Sequence, residues 1–450
     1  MDKNSDDSRL SSRLGRYTKV STTMAGLAAK IAGEKFFGFT IDREDHARAL
    51  LAALGNLKGP IMKVAQILAT IPEALPPEYA RALQELQSNA PPMGWAFVRR
   101  RMKSELGAGW ESKFRAFGQD AAAAASLGQV HKATLHDGRA VACKLQYPDM
   151  ASAIEADLNQ LKLVFSLYER ADSAVTTKHI HAELADRLRE ELDYGLEAQR
   201  CKLYRAMLAD EGASVHVPEV VDSLSTQRLL TSTWLDGNKI LDYVDAPQAQ
   251  RNRIAMNLFR AWYVPLYNYG AIHGDPHLGN YTIRADDSIN LLDFGCVRIF
   301  RPAFVGGVID LYHALMNDDK ARAVRAYETW GFKNLSNDLI DVLNTWARFL
   351  YGPLMEDKTR VIGESKAGVY GRETAAEVHK RLRALGGVTI PREFVFMDRA
   401  ALGLGSVFIH LQAKINWFKV FNEMIDGFDV KQVAKRQADI LPRFNLEVPS

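Results

Sequence analysis

The chain has 450 residues, 47% hydrophobic and 25% charged, which is ample apolar material for more than one core and excludes a disordered polypeptide. A net charge of +3 gives no electrostatic case for nucleic acid, and Cys143, Cys201 and Cys296 are too few and too scattered for a disulfide framework or a metal-ligand spacing. No apolar run approaches the roughly 18 to 20 residues that cross a bilayer, and the acidic start (Asp2, Asp6, Asp7) is unlike a transit peptide, so a cytoplasmic chain is expected, soluble or peripheral on the inner membrane.

Residues 1–35 form a basic arm, with Arg9, Arg13, Arg16, Lys19 and Lys30 at helical steps among Leu10, Leu14, Met24, Leu27 and Ile31. Such an arm fits either an amphipathic helix on an anionic membrane surface or a frayed surface helix. Residues 36–110 are expected to be a helical extension. Its pattern over 47–86 is broken at Gly59-Pro60 and Pro72–Pro77, followed by a linker at Asn89–Pro92 and a helix over Trp95–Leu106. Residues 111–236 switch to strand chemistry. Val130–Leu135 and Ala140–Leu145 flank a His136-Asp137-Gly138 turn, and two further strands are expected near Glu219–Leu224 and Arg228–Trp234. Between them, 152–210 is expected to be one long helix. From 237 to 450 the pattern is almost wholly helical, and Ile254, Leu258, Trp262 and Leu266 make a core-facing stripe.

The exception in that last region carries the chemistry. His273-Gly-Asp-Pro-His-Leu-Gly-Asn280 is followed by Asp293-Phe-Gly295, and the stretch between has apolar residues on both sides of Asp286-Asp287-Ser288. That pattern predicts a hairpin, which would bring Asn280 and Asp293 to one point. With Asp275 they offer the oxygen donors that a Mg2+–nucleotide site requires. One such motif alone is often a polar turn; two in this order and spacing point to phosphate binding. Upstream, Lys144 ends the strand Val141-Ala-Cys-Lys144 and would need a buried counter-charge, for which Glu197 is the candidate. The preceding turn is alanine-rich rather than glycine-rich, Ala121–Ala125 then Ser126-Leu-Gly128-Gln129, and alanines resist the positive φ of a flexible phosphate loop. Ala123, Ala124, Ala125, Ser126 and Gln129, with Thr233 on a neighbouring strand, are the candidate nucleotide contacts. The fold expected is α+β and bilobal, kinase-like, with a small strand-bearing N-lobe, a larger helical C-lobe and an N-terminal helical extension.

Lys63-Val-Ala-Gln66, the alanine-rich loop, Val141–Lys144, Gln146-Tyr-Pro148, Glu191-Leu-Asp193, His273–Asn280 and Asp293–Gly295, taken together, resemble the UbiB/AarF-domain family of atypical kinase-like proteins, closest in type to its Coq8 branch. The resemblance spans about 45–425. It implies ATP or ADP and Mg2+ as cofactors and a role in ubiquinone biosynthesis, with a quinone-precursor lipid and other biosynthetic proteins as partners. It also implies that the extension carrying the Lys63 and Gln66 motif folds over the site, with Lys63 facing Glu191 of the Glu191–Asp193 pair. Asn280 and Asp293 would bind Mg2+, Lys144 would pair with Glu197, and Asp275 would orient or deprotonate an acceptor. Two positions depart from the family pattern: Ala65 replaces its glycine in Lys-x-Gly-Gln, and Leu278 replaces its second proline. An aminoglycoside- or choline-kinase-type phosphotransferase would share the His-Gly-Asp motif but has no use for the Lys63 and Glu191 motifs. A nucleotide-gated scaffold for a membrane-associated complex is the non-enzymatic alternative.

Overall fold

The computed structural model describes residues 93–125, 127–155, 158–159, 185–186, 188–212, 214–276, 278–362, 374, 377–378, 380–386, 388 and 391–449. The basic arm and most of the helical extension, with Lys63 and Gln66, lie outside them, as does Ser126. The chain divides into two compact units, Met1–Pro92 with Pro148–Leu188, and Met93–Tyr147 with Arg189–Ser450. In the first, 150–155 is helical and the Ala153 N–H donates to Asp149 O at 3.1 Å.

The second unit opens with α1 (Trp95–Leu106), which buries Phe97, Val98 and Met102. A five-stranded antiparallel sheet follows: β1 (Ala116–Phe117), β2 (Ala123–Ala125), β3 (Gly128–Thr134), β4 (Ala140–Gln146) and β6 (Leu229–Thr233), in the order β1-β3-β4-β6 with β2 also on β3. The β3–β4 hairpin forms as expected because its residues alternate and Asp137 ties the turn by accepting the Arg139 N–H at 2.9 Å. Val141, Cys143 and Leu145 are fully buried on one face of β4, which leaves Lys144 on the other. At Gly128 the chain has no room for a side chain, since a Cβ would sit 2.1 Å from Leu145 O and 2.9 Å from the Tyr194 hydroxyl.

The long helix expected over 152–210 is interrupted. Glu191 and Leu192 form a turn, and α2 (Tyr194–Met207) begins afresh with Asp193 as its cap. The Asp193 carboxylate accepts the N–H groups of Gly195 (2.9 Å) and Leu196 (3.1 Å), satisfying donors that a continuing helix would have used. The strand expected over 219–224 is also corrected. Asp222–Leu224 is a 3-10 turn, and only an isolated bridge joins Val220 to Ser232. The Ser225 hydroxyl organises it, donating to Val221 O and accepting from the Thr231 N–H.

The remainder is built on α3 (Gln248–Tyr269), whose stripe residues Ile254, Leu258, Trp262 and Leu266 are at most 1% exposed. The expected hairpin is present as β9 (Tyr281–Ile283) and β10 (Ile289–Leu291), in a four-stranded sheet ordered β5-β10-β9-β7 with β5 (Val215–His216) and β7 (Asn238–Lys239). A second ribbon, missed in the sequence, pairs β8 (Ala271–His273) antiparallel with β11 (Val297–Ile299). Gly270, at φ +65°, turns the chain from α3 into β8, and a Cβ there would meet Gln437 and the Phe300 carbonyl. Helices α4 (Pro302–Met316), α5 (Lys320–Thr329), α6 (Asn337–Tyr351), α7 (Arg392–Leu411), α8 (Trp417–Ile425) and α9 (Val430–Ile440) complete the core, with Phe304, Tyr312, Tyr327, Trp417 and Phe421 almost wholly buried. A strand-bearing N-terminal part thus precedes a larger helical one, the α+β plan of a kinase-like domain.

Candidate nucleotide and metal site

The two ribbons deliver the motif residues. β8 ends at His273, so Asp275 leaves the β8–β11 ribbon, while the β9–β10 hairpin begins just after Asn280 and ends just before Asp293. Tyr281 pairs with Leu291, and the Leu292 N–H donates to Asn280 O at 3.0 Å, so the hairpin's two ends are adjacent. His273, wholly buried, pins the outgoing strand through a hydrogen bond between its Nε2 and the Asp293 carbonyl. The Gly295 N–H closes onto Asp293 Oδ1 at 2.9 Å.

Lys144 is the centre of the cluster. Its Nζ donates to Glu197 Oε1 (2.6 Å) and Oε2 (2.9 Å) and to Asp293 Oδ2 (3.1 Å). The expected partner Glu197 sits in the first turn of α2 and is 3% exposed. Burial disfavours the ammonium, but the carboxylates of Asp293 and Glu197 outweigh it, and the Lys144 pKa lies well above the ordinary lysine value. Glu197 is held above the usual glutamate range, first by burial, with Lys144 opposing and Asp293 and Glu191 adding to the rise. Among the described residues, Lys144 thus faces the carboxylates of Glu197 and Asp293. Glu191 lies close enough for its charge to act on both Glu197 and Tyr194. The ring of Tyr194 lies under Lys144, 5.2 Å from Nζ, and its hydroxyl is buried without a hydrogen-bond partner among the described residues.

Asn280 turns its amide NH2 toward Asp275, donating to its backbone O at 2.9 Å and to Oδ2 at 3.3 Å. That orientation leaves the Asn280 amide oxygen as an acceptor beside the negative excess of Asp275 and Asp293. A hard divalent cation suits this donor set of a carboxylate and an amide oxygen, with phosphate and water completing the shell.

The register separates the remaining candidates. Val130 is opposite Lys144 on β4, and Ala123 is opposite Val130, so Ala123 and Ala125 share the Lys144 face. Ala124 and Gln129 face the other way. Gln129 is fully buried, accepting the Met93 N–H at 2.8 Å and donating to Met93 O and to His131, which corrects its assignment as a nucleotide contact. Thr233 is opposite Val141, also away from Lys144, and its hydroxyl accepts the Glu219 N–H at 2.9 Å. Asp193 acts as a helix cap. Cys143 and Cys296 are buried and free, and burial pushes the Cys143 thiol up to about 12, so it behaves as a small hydrophobe. Three residues with no role foreseen from the sequence belong to the cluster: Tyr194, His273 (noted there only as the first residue of its motif), and Arg200, whose guanidinium donates to Gly295 O at 2.9 Å. A helix arginine or tyrosine carries no sequence signal for such a role.

A family model described as the ABC1 atypical kinase-like domain matches residues 85–327, more than half of the chain. The chain is 30% identical over 324 residues to the atypical kinase coq-8, mitochondrial, of Caenorhabditis elegans, covering 71% of this chain and 43% of that protein. It is 32% identical over 252 residues to the atypical kinase COQ8, mitochondrial, of Saccharomyces cerevisiae, covering 56% and 50%. The chain therefore spans about half the length of these relatives. A solved complex of Rv3197 with erythromycin from Mycobacterium tuberculosis is similar at a TM-score of 0.56 and 26% identity, covering 86% of this chain and 97% of that one. Motifs, fold and matched region agree, and the chain belongs to the ABC1 atypical kinase-like family.

Proposed function

We propose that the chain binds ATP or ADP with Mg2+ and serves ubiquinone biosynthesis as an atypical kinase or ATPase acting on, or responding to, a small or lipid-like molecule. The observation that carries this reading is the convergence of Glu197 and Asp293 on Lys144 Nζ, at 2.6 and 3.1 Å. In this reading Lys144 holds phosphate oxygens while Glu197 keeps the ammonium charged and in place. Asn280 and Asp293 would hold the metal, which neutralises phosphate charge when bound. Asp275, steadied by the Asn280 amide, would orient an acceptor hydroxyl or a water and take its proton. The alanine hairpin would offer backbone N–H groups on the Lys144 side from a stiffer loop than a glycine-rich one. Lys63 and Gln66, by the family motif, would approach Glu191. The names of the Coq8 relatives supply the mitochondrial and kinase context, and the erythromycin complex of the Mycobacterium relative favours a bulky, partly apolar ligand over a small amino alcohol.

The test is metabolic. Deleting the gene should deplete ubiquinone and accumulate a precursor, and the intact chain should restore both, measured by mass spectrometry of lipid extracts. The Asp275→Asn variant should bind nucleotide yet fail to restore quinone. Full rescue by that variant favours a nucleotide-gated scaffold, and unchanged quinone in the deletion strain overturns the reading.

A further inference from the structure

Arg200 links the lysine cluster to a second group of charges, Glu190 and Arg298. Arg200, on α2 one turn beyond Glu197, donates through one NH to Gly295 O (2.9 Å) and through the other to Glu190 (2.7 Å). Arg298, on β11, donates to both oxygens of the same carboxylate at 2.9 Å. The side chains of Arg200, Glu190 and Arg298 are 8%, 24% and 17% exposed. A guanidinium removed this far from water is costly unless its donors are fixed, and here one is fixed on the Gly295 carbonyl and another on the Glu190 carboxylate.

The loop is held at Asp293 and again two residues later. His273 holds the Asp293 carbonyl from β8, and Arg200 holds the Gly295 carbonyl from α2. Next to the first of these pins the Asp293 carboxylate accepts from Lys144. Residues three apart on a helix share a face, so α2 presents Glu197 to Lys144 and Arg200 to the loop together. A rotation or withdrawal of α2 would release both.

We propose that Arg200, buttressed by Glu190 and Arg298, is a positioning residue that locks the Asp293 loop into its metal-facing orientation and couples that orientation to the Lys144–Glu197 pair. The proposal rests on the nucleotide reading for its functional consequence, but the pin itself is testable without ligand.

The experiment compares the full chain with Arg200→Met and, as a milder lesion that keeps the arginine, Glu190→Gln. Hydrogen exchange of the 293–299 amides in the absence of ligand should accelerate in both variants, more in Arg200→Met, while exchange in β3 and β4 stays unchanged. In ADP titrations, the Mg2+ concentration for half-maximal binding should rise about tenfold in Arg200→Met, the usual cost of losing an outer-shell support of a metal ligand. ADP affinity in EDTA should stay as it is in the unmodified chain. Unchanged loop exchange in both variants overturns the pin, as does an equal loss of binding with and without Mg2+, which marks general damage. Absence of any ADP binding by the unmodified chain overturns the nucleotide reading instead, and loop exchange then decides the pin alone.

Discussion

At Lys144 a single ammonium, 16% exposed, is shared by Glu197 and Asp293, which are 3% and 32% exposed. Such a group is stable only while its charges remain matched, because breaking a buried pair leaves an unpaired ion that costs about 3–5 kcal/mol. Lys144→Met should therefore lower the unfolding free energy by about 3 kcal/mol in urea titrations. Lys144→Met combined with Glu197→Leu should recover most of that loss, since removing both partners removes the stranded carboxylate. A double variant no more stable than the single one would deny that the pair is electrostatically coupled. The sequence indicated this pairing because a strand lysine upstream of both phosphate motifs needs a buried counter-charge. For Gln129 and Thr233 the expectation fails on strand parity, which depends on the register of pairing and is not visible in the sequence. Both lie across from residues of β4, Leu145 and Val141, that face away from Lys144, and so they face the opposite side of the sheet.

At the level of elements, the β9–β10 hairpin is the piece that sets Asn280 and Asp293 beside each other. Its turn is anchored to α3 through Asp287, which sits at φ +65° and is 6% exposed. The Asp287 carboxylate accepts from Gln250 Nε2 at 2.6 Å and from Arg253 at 2.9 and 2.7 Å, and the Asn257 amide donates to its carbonyl. Asp287→Ala removes the charge-assisted bonds and keeps the unfavourable φ, so it should cost about 2 kcal/mol in denaturant melts. A loss below a few tenths would show that the turn is held by its strands alone. This hairpin was legible in the sequence, its apolar flanks and Asp-Asp-Ser turn being a local signal. The β8–β11 ribbon was not: three residues per strand are too few for alternation to show, and their pairing depends on chain ends brought together by α3 and Gly270. The break before α2 was legible in principle, since Asp193 followed by Tyr194-Gly195 is a capping sequence, but the helical periodicity around it hid the stop.

For the whole molecule, the shift from two-residue to helical periodicity along the chain sufficed to foresee a strand-bearing part ahead of a helical one, and the ordered motifs sufficed for the family. No helix among the described residues is long and apolar enough to cross a membrane, in line with the hydropathy of the chain. What unites these levels is the cluster in which Lys144 meets Glu197 and Asp293, the group on which the proposed binding of a metal with a nucleotide rests. A ligand bound only by the folded state at a hundredfold excess over its Kd stabilises by about 2.7 kcal/mol. The most direct measurement is the melting temperature of the full chain with ADP, with and without Mg2+, against its Asp293→Asn variant. A Mg2+-dependent rise is expected in the unmodified chain and largely lost in the variant; an equal rise in both, or none in the unmodified chain, would contradict metal-assisted nucleotide binding at Asp293.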